Sequence, residues 1–267
     1  APSEVVGHVT HQAAKETGLA EGTLVVAGTS DTSLEVLAAG AIRPGQSTIK
    51  LATAGRICVV TSRAYPHPLL FNYYHVIPGL WYPGTGTRSC AASYRWYRDT
   101  FGDYEKIISQ VLETSSYALL DEAAERIPVG SEGLFFHPYL LGELTPYNDP
   151  YLRASFTGFS MRHTKAHANR AVLEGVAFSL RDCLSVINNL KMDISEARII
   201  GGGARSRLWR QIIADVLGLE VKKAADDDSS LGAALLAAVS IGVFSTFEEA
   251  IDRSVKIEEI VRPNITN

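Results

Sequence analysis

The sequence predicts an α/β fold, and three observations support this prediction. Short runs rich in β-branched residues alternate along the chain with longer segments of helical period, and the two kinds are not segregated into separate halves. The length of 267 residues suffices for one or two domains with a substantial core. Apolar residues form 46% of the chain and charged residues 20%, so neither a disordered nor a fibrous protein is expected.

The first predicted elements lie between residues 24 and 61. They are a buried strand, a helix and the two strands of a hairpin, over Leu24–Gly28, Asp31–Gly40, Ser47–Ala54 and Arg56–Thr61. Ser30 or Asp31 is expected to cap the helix, and Gly40 to end it. A tight turn at Ala54-Gly55 is expected to use the freedom of glycine at positive φ.

The middle of the chain combines irregular and helical patterns. In order, it predicts an irregular or β-rich insertion over 63–90, a helix at Ala91–Phe101, helical spacing over 103–126, a strand at Glu132–Phe136 and a turn-rich excursion at Gly142–Gly158. A long helix is then expected from Thr164 to Leu190, because apolar residues recur along it at helical spacing. Gly175 inside this helix indicates close packing against another element.

The last part predicts an alternation of strands and helices. In order, these elements are a strand at Ala197–Ile200, a glycine loop, a helix at about Ser206–Leu217, a strand at Leu219–Lys222 and a helix at about Ser229–Ile241.

Charge and cysteine content exclude several classes of partner and location. The net charge of −4 argues against a surface built to bind nucleic acid or anionic lipid. The longest strongly apolar stretch is too short to span a bilayer as a helix, and no signal peptide is expected, although the missing initiator Met suggests a fragment or a processed chain. Three scattered cysteines fit a reducing cytoplasm.

Three segments are candidates for phosphate chemistry. Gly201–Ser206 lies between a predicted strand and a helix, where backbone N–H groups and the helix dipole can hold a phosphate, although a simple tight connection would give the same pattern. The hairpin turn around Thr53 and Gly55 offers a hydroxyl and small residues for a phosphate, or is an ordinary turn. Asp31 follows a strand end, where a carboxylate can accept a proton from an attacking hydroxyl or simply cap a helix.

Three other motifs give no support for a phosphate-binding P-loop or a metal site. A Walker A motif is absent from the sequence, so P-loop chemistry is not expected. His163 and His167 are four residues apart, but the glutamate of HExxH is missing between them, and no metal site is predicted. The run Asp226-Asp227-Asp228 is interpreted as a solvated loop before a helix.

Taken together, these segments resemble the C-terminal half of the FGGY carbohydrate kinases, most closely the xylulokinase-like members, in the same order and over almost the whole chain. The matching segments are Ala154–Phe159 followed by His167–Gly175, Gly201–Trp209 followed by Arg210–Asp215, and Leu231–Ala234. Gly142–Pro150 resembles a loop that usually contains GERTP, with Leu144 in place of the Arg.

The resemblance implies an actin-like ATPase domain of the ribonuclease H type, with a mixed sheet flanked by helices and turn-rich insertions. It gives Asp31 the role of the catalytic base that deprotonates the sugar hydroxyl. It also implies contacts to ATP, which is used with Mg²⁺, from Thr53, Gly55, Arg95, Gly202, Gly203, Ala204 and Ser206.

The resemblance further implies that a second domain is missing from this chain. Residues 1–25 would be the tail of an N-terminal domain, and residues 26–267 the C-terminal kinase domain. The missing half would carry the first phosphate loop, an acidic magnesium site and most sugar contacts, so we expect little kinase activity from this chain alone. The implied reaction transfers the γ-phosphoryl group of ATP to a sugar, with xylulose or a related ketose favoured, and a homodimer is left open.

Two other functions remain as hypotheses. A noncatalytic nucleotide-binding or regulatory module would explain Ala52, Ala54 and Leu144, which replace residues frequent in the family. A Rossmann oxidoreductase could use the glycines of Gly201–Ser206, but only a short stretch of chain follows them for the rest of the βαβ unit.

Overall fold

The computed structural model describes residues 1–264 and 266, so the predicted domain 26–267 is described except for its residues 265 and 267. Its centre is a mixed sheet of seven strands in the order β11-β10-β9-β3-β4-β6-β5. These strands are β3 (Gln46–Leu51), β4 (Gly55–Val59), β5 (Phe71–Tyr74), β6 (Trp81–Thr87), β9 (Glu196–Ile200), β10 (Val221–Ala224) and β11 (Ile257–Val261). The strands β3, β9 and β10 run parallel to one another, and all other pairings in this sheet are antiparallel.

Two antiparallel pairs lie outside the main sheet. They are formed by β1 (Val5–His8) with β2 (Leu24–Val26) and by β7 (Phe135–His137) with β8 (Ser155–Thr157). The helices are α1 (His11–Thr17), α2 (Asp31–Ala38), α3 (Ala91–Phe101), α4 (Asp103–Val111), α5 (Ser116–Glu125), α6 (Lys165–Asn189), α7 (Arg207–Leu217), α8 (Ser229–Ser240) and α9 (Phe247–Ser254). Within the described residues, none of them is both long and apolar enough to cross a bilayer.

Helices cover both faces of the main sheet, as the α/β prediction requires. On one face, α3, α5, α6 and α7 enclose the largest apolar core together with Ile49 and Leu51 of β3. On the other face, α2, α8 and α9 form a second apolar cluster, and Lys50 of β3 pairs with Glu35 of α2. Side chains of a strand alternate between faces, so one strand supplies both layers.

The long helix α6 confirms the strongest pattern in the sequence. It runs through the core, and Ala171, Val176 and Leu180 are buried along it. A Cβ placed on Gly175 would lie 2.1 Å from the carbonyl oxygen of Phe136, just inside β7. Gly175 therefore allows the close packing that its position predicted.

Two local predictions are wrong. Leu24–Gly28 is not a buried core strand: β2 pairs only with β1, and Leu24 and Val25 are each 41% exposed because no described element packs over this two-stranded sheet. Gly55 does not use positive φ, and it begins β4 instead. Its Cβ would lie 2.8 Å from the Thr87 methyl group and 3.0 Å from the Cβ of Cys90, so packing explains the glycine.

Several other boundaries differ from the predictions. The strand expected at Glu132–Phe136 begins later, because a short 3-10 turn bounded by Gly130 and Gly133 precedes β7. The strand expected at Leu219–Lys222 is β10, shifted by two residues. The short elements β1, α1, α9 and β11 were not predicted, because their patterns are too brief to stand out from loops.

Candidate functional site

The candidate site lies where the three parallel strands of the main sheet end. The carboxyl ends of β3, β9 and β10 lead into loops at residues 52–54, 201–206 and 225–228. Parallel strands that end at one edge bring their following loops together, and ligands of α/β proteins commonly bind there. Three segments that are far apart in sequence thus meet at one edge.

The glycine loop after β9 is held on both sides. Gly201 has a φ of 89°, and its backbone N–H donates to the Asp227 carboxylate at 2.6 Å. A 3-10 turn over Gly202–Arg205 follows, and the Ser206 hydroxyl then caps α7 by accepting from the Trp209 N–H at 3.0 Å. The loop is therefore fixed before any ligand binds.

A cavity of about 660 Å³ opens beside this loop. Its size falls in the range typical of small-molecule and cofactor sites. It is lined by Leu51, Ala52, Thr53, Ala91, Tyr94, Arg95, Ser115, Tyr117, Ala118, Asp121, Gly202, Gly203, Arg205, Ser206 and Trp209. We call it the main cavity.

Five of the predicted nucleotide-binding residues line the main cavity, namely Thr53, Arg95, Gly202, Gly203 and Ser206. A Cβ on Gly203 would lie 2.8 Å from both the Leu51 Cβ and the Trp209 ring, so only glycine fits there, whereas a Cβ on Gly202 would meet nothing within 4 Å. Ala204 is almost fully buried behind the loop, and Gly55 is packed inside β4; neither lines the cavity.

Three helix N-termini and two arginines border the main cavity. The first residue of α3 and the capping residues of α5 and α7, which are Ala91, Ser115 and Ser206, all line it. The N-terminal end of a helix carries partial positive charge, so three helix dipoles favour an anion here. The exposed guanidinium groups of Arg95 and Arg205 also line the cavity, and neither pairs with a carboxylate in the part of the chain that is described.

Sequence reasoning missed Asp121, Ser115, Tyr117 and Trp209 of the cavity wall. The Tyr94 hydroxyl donates to Asp121 at 2.7 Å, and Ser206 lines the same cavity. Burial raises the pKa of Asp121, although the hydrogen bond from Tyr94 opposes this shift. No motif or spacing in the sequence connects α5 with the glycine loop, because only the packing of α5 against α3 and α6 brings them together.

A smaller cavity of about 310 Å³ adjoins the main one through their shared lining residues Gly202 and Arg205. We call it the polar cavity, because Glu35, Lys50, Lys223 and the acidic run 226–228 line it. Two residues of that run have local structural roles: Asp227 accepts from Gly201, and Asp228 caps α8 by accepting from the Ser230 N–H at 2.8 Å.

Asp31, the predicted catalytic base, lies outside the lining of both cavities. It is the first residue of α2, behind the capping residue Ser30, and its carboxylate accepts from the Thr32 N–H at 2.7 Å. The side chain is exposed and lines neither cavity. Glu35, one helical turn further along the same face, lines the polar cavity.

The two histidines singled out in the sequence have structural roles. His167 forms a capping box with Thr164 at the start of α6, and the ring of His163 lies 5.4 Å from that of His167. The described part of the chain holds no group of three or more His, Cys, Asp or Glu side chains that could bind a metal ion.

Known proteins similar to this chain are carbohydrate kinases. Residues 24–241 match the model of the FGGY family of carbohydrate kinases, C-terminal domain. The chain is 34% identical to the xylulose kinase of Staphylococcus epidermidis over 98% of its own length and 51% of that protein. It is 32% identical to the gluconokinase of Bacillus subtilis over 94% of its own length and 49% of that protein.

A solved structure agrees with these matches. The crystal structure of xylulose kinase from Rhodospirillum rubrum superposes with a TM-score of 0.84 at 33% identity, covering 99% of this chain and 52% of that one. This similarity confirms the predicted actin-like fold and does not favour a Rossmann oxidoreductase. The chain spans about half the length of the curated relatives it matches. It belongs to the FGGY family of carbohydrate kinases and contains the C-terminal domain of that family.

Proposed function

We propose that this chain is the nucleotide-binding half of an ATP-dependent sugar kinase, which transfers the γ-phosphoryl group to a hydroxyl of D-xylulose or a related ketose. One observation carries the proposal: three helix N-termini, a glycine loop and two guanidinium groups, which have no carboxylate partner among the described residues, converge on the main cavity. Such a surface favours a polyanion, and the glycine loop leaves room for a flat base against the backbone.

The residues of the main cavity fit a nucleoside triphosphate. Gly202 and Gly203 expose backbone along one wall, while Tyr94 and Trp209 contribute apolar surface. Thr53 and the turn around it, together with Arg95 and Arg205, would hold the phosphates. Mg²⁺ bound to ATP would supply charge neutralisation; in phosphoryl transfer such an ion is commonly held by one or two carboxylates and the phosphates themselves. Ala204 would support the loop from behind, and Gly55 the turn.

Asp31 would act as the general base of the reaction. Its carboxylate is exposed and held in place only by the neighbouring Thr32, so a sugar hydroxyl can reach it. Accepting the hydroxyl proton as the oxygen attacks phosphorus is the role that a positioned carboxylate has in phosphoryl transfer. The route from the nucleotide to Asp31 would pass the polar cavity, whose wall includes Glu35 of the same helix.

A second domain would complete the site. We propose that residues 26–267 form the C-terminal domain and that residues 1–25 continue an N-terminal domain, as the length of the curated relatives suggests. The exposed apolar side chains Val5, Val6, Leu24 and Val25 of the β1–β2 pair fit a surface that such a domain covers. Closure of the two domains would exclude water from the reacting groups.

The most detailed parts of the proposal are the identity of the sugar and the cellular location. Xylulose is favoured because curated and structural relatives are named as xylulose kinases, although others are named as kinases of gluconate. A cytoplasmic location is consistent with three free, buried cysteines. Burial raises the pKa of the Cys58 and Cys90 thiols to about 12, which keeps them unreactive.

The first test is calorimetric titration of this chain with MgATP. We expect binding by the chain, and about tenfold weaker binding for Arg205→Gln, because a charge-assisted contact is lost. Arg207→Gln is the matched control, since Arg207 is equally exposed two residues away but does not line the main cavity. Absence of ATP binding, or equal effects of the two substitutions, would contradict the proposed nucleotide site.

The second test measures ADP release by a protein in which this chain is joined to an N-terminal half like that of its relatives. A panel of ketopentoses, aldoses, polyols and gluconate would identify the sugar, and we expect a ketose to respond. The chain alone should show negligible turnover. Robust sugar-dependent ADP formation by the chain alone would refute the need for a second domain, whereas ATP binding with silence across the panel would favour a noncatalytic module.

A further inference from the structure

The carboxylate of Asp121 is the one anionic side chain in the described wall of the main cavity. It lies on α5, half-buried, and none of the matching segments named in the sequence analysis includes it. The Tyr94 hydroxyl donates to it at 2.7 Å, and Ser206, whose hydroxyl oxygen accepts from the Trp209 N–H of α7, lines the same cavity. Tyr94 thus holds the carboxylate in a wall of the cavity that the glycine loop also lines.

Burying this carboxylate does not stabilise the folded chain. Burial disfavours its charged form, the Glu125 carboxylate one turn away adds repulsion, and no cationic side chain in the described part of the chain forms an ion pair with it. An asparagine could accept the Tyr94 hydroxyl equally well without the cost of burying a charge. A charged group kept at such a position, facing a cavity, indicates a role toward a ligand.

The chemistry of Asp121 defines what it can contact. An ionised carboxylate only accepts hydrogen bonds, at about four lone-pair positions, and the Tyr94 hydroxyl occupies one of them. The remaining positions suit an N–H or O–H donor and repel a phosphate. The exposed Arg95 and Arg205 and the exposed Thr53, in contrast, suit the phosphates. The main cavity therefore has a half-buried side chain that attracts donors and exposed side chains that suit anions.

We propose that Asp121 is a specificity-determining residue that accepts a hydrogen bond from a donor on the nucleoside part of the nucleotide and so fixes the direction in which the nucleotide enters. This inference rests on the proposed nucleotide site. The donor belongs either to the exocyclic amine of the base or to a ribose hydroxyl, because both lie on the nucleoside part and are neutral. Asp121 then repels the triphosphate and leaves it beside Thr53.

The test is a double comparison of ligands and variants by calorimetric titration of this chain. The ligands are ATP, purine riboside triphosphate without the amine, 2′-deoxy-ATP, 3′-deoxy-ATP and inorganic tripolyphosphate. For the unsubstituted chain we expect one of the three analogues to bind about tenfold more weakly than ATP, since a hydrogen bond to a charged group is lost. Which analogue does so identifies the donor.

Asp121→Asn should bind ATP about tenfold more weakly and should no longer distinguish that analogue from ATP, because the charged acceptor is gone. Its affinity for tripolyphosphate should be unchanged or higher. Glu122→Gln is the control: Glu122 is adjacent and pairs with Arg126 at the surface, so all affinities should stay the same. Thermal unfolding of each variant monitors the fold.

The outcomes separate this inference from the proposed function. If ATP binds but all three analogues bind the unsubstituted chain as tightly as ATP, Asp121 accepts no hydrogen bond from the nucleoside part and the inference is wrong. This outcome does not depend on whether Asp121→Asn folds. If Asp121→Asn weakens ATP and its analogues equally, the residue acts only on the fold of the cavity and the inference is again overturned. If neither ATP nor tripolyphosphate binds, the nucleotide site itself is refuted.

Discussion

The main cavity and the start of α2, which carries Asp31, differ in how completely this chain builds them. Walls of the main cavity come from the β3–β4 turn, α3, α5, the glycine loop and α7, and its aromatic residues Tyr94 and Trp209 are buried in the principal core. Asp31 in contrast is exposed and follows the exposed β1–β2 pair, and among the described residues its carboxylate is hydrogen-bonded only to Thr32. One region has walls from several elements of this chain, and the other is exposed.

From this difference we expect nucleotide binding and phosphoryl transfer to depend on different parts of the protein. A cavity whose glycine loop is fixed by Asp227 and Ser206 needs little rearrangement to accept a ligand. A general base that stands in solvent cannot exclude water from a phosphoryl group. We therefore expect substitutions in the two regions to have separable effects, and the following predictions test that separation.

Asp31→Asn should have the largest effect. In the joined protein, we expect the rate of phosphoryl transfer to fall by about 10³-fold, because the amide cannot accept the sugar proton, while the nucleotide Kd changes less than about twofold. ADP release and calorimetric titration measure the two quantities. Asp103→Asn is the matched control, since Asp103 is likewise the exposed first residue of a helix but lies far along the chain on α4. Turnover retained within about tenfold would remove Asp31 from the role of base.

Gly232→Ala should have an intermediate effect on the open region. A Cβ at Gly232 of α8 would lie 2.0 Å from the carbonyl oxygen of Leu34, so α2 and α8 must move apart. Overpacking of this kind costs about 1–3 kcal/mol, which thermal unfolding would detect as a loss of several degrees.

Because α2 carries Asp31, we expect Gly232→Ala to lower turnover more than nucleotide affinity. Ala233→Ser is the control, since Ala233 is the next residue of α8 and is exposed. An equal loss of affinity and turnover would show that the two regions do not respond separately.

Titratable groups of the two regions should also change the free energy of unfolding in opposite directions with pH, each by on the order of 1 kcal/mol. His75, beside α2, is buried as the neutral ring: its Nε2–H donates to the Ala41 carbonyl at 3.0 Å, and its Nδ1 accepts from the Ile77 N–H at 3.1 Å. Burial lowers the pKa of His75. As the pH falls, His75 is therefore protonated in the unfolded chain before it is protonated in the folded chain. The contribution of the neutral His75 ring to the free energy of unfolding is present above a pH of about 6.5 and is lost as the pH falls below it.

The raised pKa of Asp121 acts the other way. The folded chain binds the proton of Asp121 more tightly than the unfolded chain does. The contribution of protonated Asp121 to the free energy of unfolding is therefore present below the unfolded pKa of about 4 and is lost as the pH rises. Denaturant unfolding between pH 4 and 8 would measure both. His75→Gln should flatten the loss of stability below pH 6.5, and Asp121→Asn should be the more stable chain at pH 7, with a difference that shrinks toward pH 4. Parallel pH profiles for both variants would contradict this assignment.

Much of the fold and part of the candidate site followed from local patterns. The spacing of apolar residues predicted α6 nearly to its ends, and the glycine run predicted the loop between β9 and α7. Thr53, Arg95, Gly202, Gly203 and Ser206, expected from the family resemblance, do line one cavity. The role of Asp31 stays a prediction, as do the nucleotide contacts.

Other features depended on contacts between distant parts of the chain. The glycine at position 55 matched a turn, but only the packing of Thr87 and Cys90 against it reveals why no side chain fits. Leu24 and Val25 resemble core residues by composition, but they lie on a small sheet that nothing in the described chain covers. Composition cannot distinguish these cases, because burial depends on which elements pack together.

The sequence by itself determined the order of most elements, the glycine loop and the family, because helical and strand periodicity, turn residues and motif spacing are local properties. Only the tertiary structure decided that three helix N-termini meet at one cavity, that Asp121 lines this cavity together with the glycine loop, and that Gly232 sets the distance between α8 and the helix of Asp31. These features join residues many positions apart, and no periodicity encodes which of them come into contact.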